Sequence, residues 1–518
     1  MKNLKRFILN ALALCLVSLI MRTVGVSFHA YVSSRAGAEA MGLYSLLSGF
    51  YGFAVTLATS GIGLATTRLV SEELGKDDPA GARDALRRAL LYSLAFSLLA
   101  NLLLFSLASP VGKLLLGDER TILPLQILSF SLIPISITST LNGYFTAIRK
   151  VYKNAIIQLL EQGVRIFAVS RLLTILLPRG IAYACVALAL GGMMAEVGSF
   201  LFSVAAVLWE NRRKLPKGSP ESKKGLTKKL CGIALPVAFS TYARSGLLSV
   251  EHMLIPIGLK KSGSSHSVAL ASYGTLQSLV MPILLFPSAL IGSFSGLLVP
   301  ELAECAVRGN KREIRYIAER VIQLSLCFSI GVSGIMICFS HELGDLIYPG
   351  KSTHLYIRLL APLIPVMYLD STVDAMLKGL GEQVFSMGIN IADSLLSIAL
   401  VWFLLPKYGM MGYVLTIYLA ELFNFCASMT RLIKKSGVQA HLKKWLFSPL
   451  LAIIGGTSIS NILFQSIHFY RDLSVFKAIL HIFVAFVLYS CFLICMQSIN
   501  KEDIEWARNV LKKNGGKA

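Results

Sequence analysis

Long apolar runs alternate with short polar segments along almost the whole chain. A helix that crosses a bilayer needs about 20 apolar residues, whereas a barrel strand needs about ten residues of alternating polarity. The pattern holds no series of such alternating segments, so it predicts an all-α integral membrane protein with about fourteen transmembrane helices. The predicted runs are 7–34, 41–68, 86–109, 121–148, 154–177, 181–209, 230–259, 267–299, 316–340, 355–377, 384–405, 410–430, 445–467 and 474–499.

The basic residues add a topology to this pattern. The chain has 50 lysines and arginines against 28 acids, a net charge of +22, although only 15% of its residues are charged. Such an excess can indicate nucleic acid or anionic lipid as a partner. Most basic residues outside the runs fall in alternate segments, as the positive-inside rule requires. We therefore predict a multi-pass protein of a cytoplasmic membrane, with both termini cytoplasmic, anionic lipids as neighbours and no nucleic-acid partner.

Short motifs recur in the same order in the two halves of the chain. LVSE at 69–72 matches LVPE at 298–301, LIPI at 132–135 matches LIPV at 363–366, and AIRK at 147–150 aligns with GLGE at 379–382. Repeats of like topology are a transporter architecture, so we predict two pseudo-symmetric six-helix lobes followed by two C-terminal helices. The predicted domains are an N-lobe at 1–209, a basic cytoplasmic linker at 210–229, a C-lobe at 230–435, helices 13 and 14 at 436–499, and a cytoplasmic tail at 500–518.

Arginines inside the runs are the first candidate functional residues. A charge at mid-membrane costs about 2.5–3.5 kcal/mol on insertion scales, so it needs a partner, water or a ligand. Arg22, Arg165 and Arg244 lie deep in their runs, and Arg68 lies near the end of one. Guanidinium is well suited to phosphate. The residues predict an anion-binding site at which Arg22 and Arg244 occupy matching positions of the two halves.

Acids inside the runs leave two readings open. They are Glu161, Glu196, Glu251, Asp370, Asp374, Asp393 and Glu421. Glu161 lies four residues from Arg165, and Glu251 lies seven from Arg244, so each shares a helix face with its arginine. Such acids can neutralise the arginine locally or contribute to a substrate site. Asp370 and Asp374, also four apart, and Asp393 in the next run are candidates for an ion or proton site.

Several catalytic and metal-binding motifs are absent from the sequence. It contains no Walker A motif, no H-E-x-x-H, no G-x-S-x-G and no C-x-x-C. We therefore predict a protein that is not an enzyme and has neither a cofactor nor a metal. Its energy would come from an ion gradient, the membrane potential or the substrate gradient.

Three segments carry a resemblance to a known family. They are SLIMRTVGVSFHAYVSSRAGAEAMGLYSLL (18–47), LATSGIGLATTRLVSEELGKDD (57–78) and the Q-x-x-E-Q-x-x-R run (158–165). They resemble the stage V sporulation protein B group of the multidrug/oligosaccharidyl-lipid/polysaccharide (MOP) exporter superfamily. The resemblance implies two lobes that work by alternating access on an undecaprenyl-pyrophosphate-linked saccharide. It places the first-helix arginine of the family on Arg22, and His29 stands where relatives often carry a second basic residue.

The sequence thus predicts a flippase that moves a polyisoprenoid pyrophosphate-linked saccharide from the inner to the outer leaflet. Lipid II for peptidoglycan or spore cortex is the leading candidate. Arg22, Arg68, Arg165 and Arg244 would hold phosphate, and Glu161 and Glu251 would orient them. One rival is a cation-coupled multidrug exporter of the same superfamily, which would depend on the aspartates. A second rival is a non-transporting scaffold of an envelope-assembly complex.

Overall fold

Helices make up nearly all of the structure. The computed structural model describes residues 2–76, 78–214, 225–263, 265–292, 302, 305, 306, 308–347, 353–439, 441–466 and 475–498, and these contain no strand. In chain order the helices are α1 (Lys2–Thr59), α2 (Ile62–Gly75), α3 (Pro79–Pro110), α4 (Ile122–Ser129), α5 (Leu132–Ala147), α6 (Val151–Leu176), α7 (Ile181–Lys214), α8 (Leu226–Lys261), α9 (His266–Gly274), α10 (Met281–Leu285), α11 (Lys311–Cys338), α12 (Ser340–Ile347), α13 (Thr353–Leu360), α14 (Ile364–Gly379), α15 (Gln383–Ser436), α16 (Ser448–Ser466) and α17 (Val475–Cys495).

Two of the helices are long enough to cross a bilayer twice. Helix α1 has 58 residues and α15 has 54, and at 1.5 Å per residue each is far longer than a hydrocarbon core of about 30 Å. Each is kinked at a glycine with positive φ, Gly37 (φ 86°) in α1 and Gly409 (φ 55°) in α15. A residue with a Cβ rarely adopts this conformation. The kinks fall between the predicted runs 7–34 and 41–68, and between 384–405 and 410–430.

The number of membrane crossings follows from the lengths of the apolar helices. In the described part of the chain, ten helices are long and apolar enough to span, or eleven if the pair Glu119–Ser129 and Leu132–Ala147, bent by 44°, is one span. Helix α6 is not among them, and Glu161, Arg165 and Arg171 lie along it. The all-helical membrane fold is confirmed, and the count of fourteen crossings stays a prediction.

Helix ends follow ordinary capping chemistry. Asp78 accepts a hydrogen bond from Gly81 N (2.8 Å) ahead of Pro79 at the first turn of α3. Asn310 accepts one from Glu313 N (3.3 Å) at the start of α11. Both side chains satisfy backbone donors that have no partner within the helix. These caps separate α2 from α3 and define where α11 begins.

The described chain forms two compact units. One unit comprises residues 31–274 and 398–410, and we call it the first unit. Its core includes Ile62, Leu69, Ala89 and Phe145, all buried between α2, α3 and α5. The second unit comprises residues 1–30, 275–397 and 411–518. Its core packs α11 against α14, with Val321 and Met376 fully buried.

The boundaries of the lobes predicted from sequence stay a prediction. Half of the predicted linker at 210–229 and the whole predicted tail at 500–518 lie outside the described residues, as does Glu301 of the LVPE motif. The predicted N-lobe and the first unit share the second half of α1 and the helices from α2 to α7. The first unit also contains α8 and α9.

Within the first unit, α1 and α9 approach so closely that only glycine fits between them. A Cβ on Gly42 would overlap the carbonyl of Leu270, and a Cβ on Gly274 would overlap Gly42 N and the carbonyl of Ala38. Glycine at such positions lets two helix backbones come into van der Waals contact. The same side of α1 continues along α8, where Ser249 Oγ donates to Gly49 O (3.1 Å).

Candidate functional site

The first unit contains a polar cavity of about 450 Å³. Its walls come from the end of α1 and from α2, α5, α6 and α7. Hydroxyl, amide and carboxylate groups form most of its lining, and Ile135 is the one large apolar side chain among the lining residues. The lining residues are Thr59, Gly63, Thr67, Ile135, Thr138, Ser139, Asn142, Gly143, Thr146, Glu161 and Glu196.

A break in the chain and a glycine contact shape this cavity. Helices α1 and α2 are separated at Ser60 (φ 47°) and Gly61 (φ 69°), both in the left-handed region. Helix α2 then packs directly on α5, because a Cβ on Gly143 would overlap the carbonyl of Gly63. Thr67 Oγ1 reaches the carbonyl of Gly143 (3.1 Å) across the same contact. The small residues at 60–63 thus position the cavity wall.

Arg165 of α6 is held between two carboxylates at this cavity. Its Nη2 donates to Glu161 Oε1 (2.7 Å) one turn earlier and to Glu196 Oε1 (3.1 Å) of α7. About a third of the Arg165 side chain is exposed, and about a fifth of each carboxylate side chain. The predicted pairing of Glu161 with Arg165 is present. The sequence analysis found Glu196 as an acid in a run but not as a partner of Arg165.

Several buried polar atoms around the cluster have no hydrogen-bond partner among the described residues. They are Thr138 Oγ1, Asn142 Oδ1 and Arg165 Nε. Leaving a buried polar group unpaired costs about 1–3 kcal/mol, so such groups usually meet water or a ligand. The cluster carries two acids and one base, and its other groups are neutral. Its chemistry therefore suits sugar hydroxyls, an amine or a cation better than a phosphate.

Arg22 occupies a different environment in the second unit. Its Nη1 donates to Ser288 Oγ (2.9 Å) and to the carbonyl of Leu285. Ser288 Oγ also donates to the carbonyl of Leu285 (2.7 Å). Tyr368 serves the neighbouring one through a bond to Leu284 O (2.5 Å). Arg22 is exposed, and among the described residues only its Nη1 donates hydrogen bonds, so it keeps guanidinium donors for a ligand.

The other predicted basic residues lie on helix surfaces of the first unit. Arg68 is 65% exposed and donates to Glu72 Oε1 (3.1 Å), a pair of the solvated helix-end type. Lys229 of α8 also binds Glu72. Arg244 on α8 is exposed and has neither a hydrogen bond nor an ion pair within the described chain. Glu251, two turns further along α8, is half-buried.

The predicted aspartates separate into two settings in the second unit. Asp374 is bound by Lys378 Nζ (2.5 Å) one turn later and by Ser386 Oγ. Asp370 accepts from Asn424 Nδ2 (3.4 Å) of the second half of α15. Glu421, one turn before Asn424, lies within electrostatic range of both Asp370 and Asp393. Helix α15 thus places the Glu421 carboxylate near Asp370 and Asp393. The sequence identified Glu421 as an acid in a run but not as a neighbour of these aspartates, and it gave no sign of Asn424.

No group of three or more His, Cys, Asp or Glu in the described ranges is arranged to hold a metal ion.

One ion-pair cluster joins the start of α6 to the last turns of α7. A second cluster joins the residue before α15 to the last turns of that helix. In the first unit, Glu210 accepts from Lys153 Nζ (2.9 Å) and from Lys150. In the second unit, Glu382 accepts from Lys435 Nζ (2.6 Å) and Arg431 Nη2 (2.7 Å). Lys150 and Glu382 are the residues that AIRK and GLGE align in the repeat, so the two clusters have opposite polarity.

The Glu382 cluster predicts a pH-dependent stability. Hydrogen bonds from Lys435 and Arg431 lower the pKa of the Glu382 carboxyl below its usual value. A lowered pKa means that the carboxylate stabilises the folded state above its ordinary pKa, and that this contribution disappears as the pH falls through the lowered value. We expect Glu382→Gln to lower the thermal midpoint in detergent at neutral pH and to leave it unchanged in acid. Equal losses at both pH values would contradict this.

Comparisons with known proteins bear on the whole chain. The family model for polysaccharide biosynthesis proteins matches residues 7–305, more than half of the chain, and the MatE model matches residues 261–403. Stage V sporulation protein B of Bacillus subtilis (strain 168) is 26% identical over 469 residues, which cover 89% of this chain and 90% of that protein.

Two solved structures share the fold. Lipid II flippase MurJ in an inward closed conformation superposes with a TM-score of 0.67 at 15% identity, covering 92% of this chain and 97% of that one. An inward-facing multidrug resistance MATE family transporter of the MOP superfamily superposes with a TM-score of 0.61 at 16% identity, covering 82% of this chain and 100% of that one. The helices therefore adopt a fold found in membrane transporters.

Proposed function

Because this chain belongs to the polysaccharide biosynthesis protein family, within the MOP superfamily of transporters and flippases, we propose that it moves a polyisoprenoid pyrophosphate-linked saccharide across a bacterial cytoplasmic membrane. The direction is from the inner to the outer leaflet, by alternating access, and no bond is made or broken. Lipid II for peptidoglycan or spore cortex is the substrate to test first. Two proteins that this chain resembles are named for sporulation and for lipid II.

The observation that carries the proposal is the polar cavity with its Glu161–Arg165–Glu196 cluster. A cavity lined by hydroxyls, an amide and carboxylates is costly among membrane-crossing helices unless a polar guest uses it. A saccharide supplies many hydroxyl donors and acceptors, and a volume of about 450 Å³ lies in the usual range for small-molecule sites. In this proposal the cavity receives the saccharide.

The pyrophosphate requires groups with unused cationic donors. Arg22 and Arg244 are exposed, and neither pairs with a carboxylate of the described residues. Guanidinium binds phosphate oxygens in bidentate geometry. Arg22 and Arg244 are therefore the main phosphate ligands that we propose. Arg68 and Arg165, which each bind a carboxylate, take auxiliary roles, and Glu251 orients Arg244 from the same helix.

Coupling to an ion is a further part of the proposal. Asp370 and Asp393 share Glu421 as a neighbour, and Asn424 adds an amide to the group. Carboxylates placed near one another favour a shared proton or a bound cation. We propose that this acidic group takes the coupling proton or cation. Asp374 contributes from its ion pair with Lys378.

Removal of Arg244 is expected to reduce flipping at least tenfold, because a charge-assisted bond to phosphate contributes about 1.5–3 kcal/mol. The measurement is complementation of flippase-depleted cells, with inner-leaflet lipid II as the readout, by wild type, Arg22→Ala and Arg244→Ala. Arg179→Ala is the matched control, since Arg179 is an exposed arginine in the turn that follows the end of α6.

Each rival function predicts a different outcome of that experiment. A multidrug exporter would change drug tolerance while precursor levels stay unchanged, and it would lose function on Asp370→Asn rather than on Arg244→Ala. A scaffold would rescue growth equally well with all three arginine variants. Rescue by both Arg22→Ala and Arg244→Ala with normal lipid II turnover would overturn the phosphate assignment.

A further inference from the structure

A second cavity of the first unit lies between α6 and α7 and is mostly apolar. Its volume is about 690 Å³. The apolar lining comes from Tyr152, Ile156, Ile157, Leu160, Phe202, Ala205, Ala206 and Trp209, and the charged lining from Lys150, Lys153 and Glu210. The charged groups are all at one end, where both helices reach the side that the positive-inside rule places in the cytoplasm.

This second cavity is a groove whose length matches the thickness of one leaflet. From Lys150 to Leu160 it follows about ten residues of α6, which at 1.5 Å per residue is about 15 Å, half of a hydrocarbon core of about 30 Å. Ile156 and Leu160 are about half exposed along this stretch. Tyr152 and Trp209, exposed to 57% and 65%, lie beside the charged end. Such aromatic side chains are typical of the interface between hydrocarbon and headgroups.

The charged end retains cationic donors. Lys153 Nζ donates to Glu210 Oε2 (2.9 Å) and Ala206 O (3.5 Å), and Lys150 donates to Glu210. Two ammonium groups carry six N–H donors, and these three bonds use half of them. Two lysines with one carboxylate also leave a single positive charge. Arg149, exposed and next in sequence to Lys150, adds another.

We propose that this groove is a binding site for an anionic phospholipid of the inner leaflet. The phosphate completes the donors of Lys150 and Lys153, and one acyl chain lies along Ile156, Leu160 and Phe202. The site has an excess positive charge, which an anionic headgroup neutralises and a zwitterionic headgroup does not. Charge complementarity therefore selects the anionic lipid. The site is separate from the polar cavity and does not depend on which saccharide the protein moves.

Fluorescence quenching by brominated lipids tests this site directly, because Trp209 lines it. The full-length protein is reconstituted in phosphatidylcholine vesicles that contain a minor fraction of brominated phosphatidylglycerol or brominated phosphatidylcholine. The signal of Trp209 is the difference between wild type and Trp209→Phe. The other tryptophans, such as the buried Trp445, are present in both proteins, so their signals cancel. We expect brominated phosphatidylglycerol to reach half-maximal quenching of Trp209 at an about fivefold lower mole fraction for each contributing lysine.

Three variants separate a site from general surface charge. The double variant Lys150→Gln/Lys153→Gln should lose the preference, and Lys228→Gln, an exposed lysine at the start of α8, should keep it. Glu210→Gln removes the competing carboxylate and should increase the preference, a gain that misfolding would not produce. Equal quenching by the two lipids, an unchanged preference in the double variant, or a loss in Lys228→Gln would overturn the proposal.

Discussion

Gly42→Ala is expected to destabilise the protein by about 1–3 kcal/mol, the usual cost of forcing extra volume into a packed contact. A Cβ at this position overlaps the carbonyl of Leu270, which is backbone and cannot rotate away. Helices α1 and α9 must therefore separate, and the contact of Gly274 with Ala38 O is lost as well. The measurement is the apparent thermal midpoint in detergent, followed by circular dichroism, together with flipping in the complementation assay.

Gly52→Ala is the matched control for Gly42→Ala. Gly52 lies on the same helix, and a Cβ there meets no atom within 4 Å. Replacing glycine by alanine in a helix favours folding by about 1 kcal/mol, so this variant should be neutral or slightly stabilised. The close approach of α1 and α9 would be refuted if both alanine variants raised the midpoint.

Arg165→Met is expected to cost about 2 kcal/mol of stability and most of the flipping activity. Removing one member of a fully buried ion pair costs about 3–5 kcal/mol, and the partial exposure of Arg165 reduces this. Glu161 and Glu196 are then left facing each other without a counter-charge. Adding Glu196→Gln to Arg165→Met should recover much of the stability, with a coupling of about 0.5–3 kcal/mol in the double-mutant cycle.

Arg171→Met provides the comparison on the same helix. Arg171 is exposed and stacks on Phe167, with 5.7 Å from its guanidinium carbon to the ring centroid. Surface substitutions of this kind change stability by less than about 0.5 kcal/mol. A strictly additive cycle for Arg165 and Glu196 would show that the cluster is not an interacting unit.

Features that depend on local sequence spacing were predicted well. Apolar runs gave the helical membrane fold, and the gaps between runs fell at the kinks of Gly37 and Gly409. The spacing of Glu161 and Arg165 predicted their pairing, because residues four apart share a helix face. Asp374 and Lys378 are also four residues apart, and they form an ion pair.

Features that depend on packing between helices could not be predicted in this way. Glu196 reaches Arg165 only because α6 packs on α7, and no spacing in the sequence encodes that contact. Glu421 meets Asp370 only because α15 turns back at Gly409. Arg22 was predicted as a buried charge awaiting a ligand, whereas in the structure it also satisfies a carbonyl near Pro287.

The opposite polarity of the two end clusters bears on how the chain assembles during insertion. Lys150 and Lys153 attract Glu210 but would repel Arg431 and Lys435, and Glu382 would repel Glu210 in the same way. Similar halves of one polypeptide risk exchanging equivalent segments while they emerge from the translocon. Like-charge juxtaposition penalises that exchange and leaves correct pairing as the favoured outcome. The reversed signs therefore disfavour pairing of the lysine end of α6 with the basic end of α15.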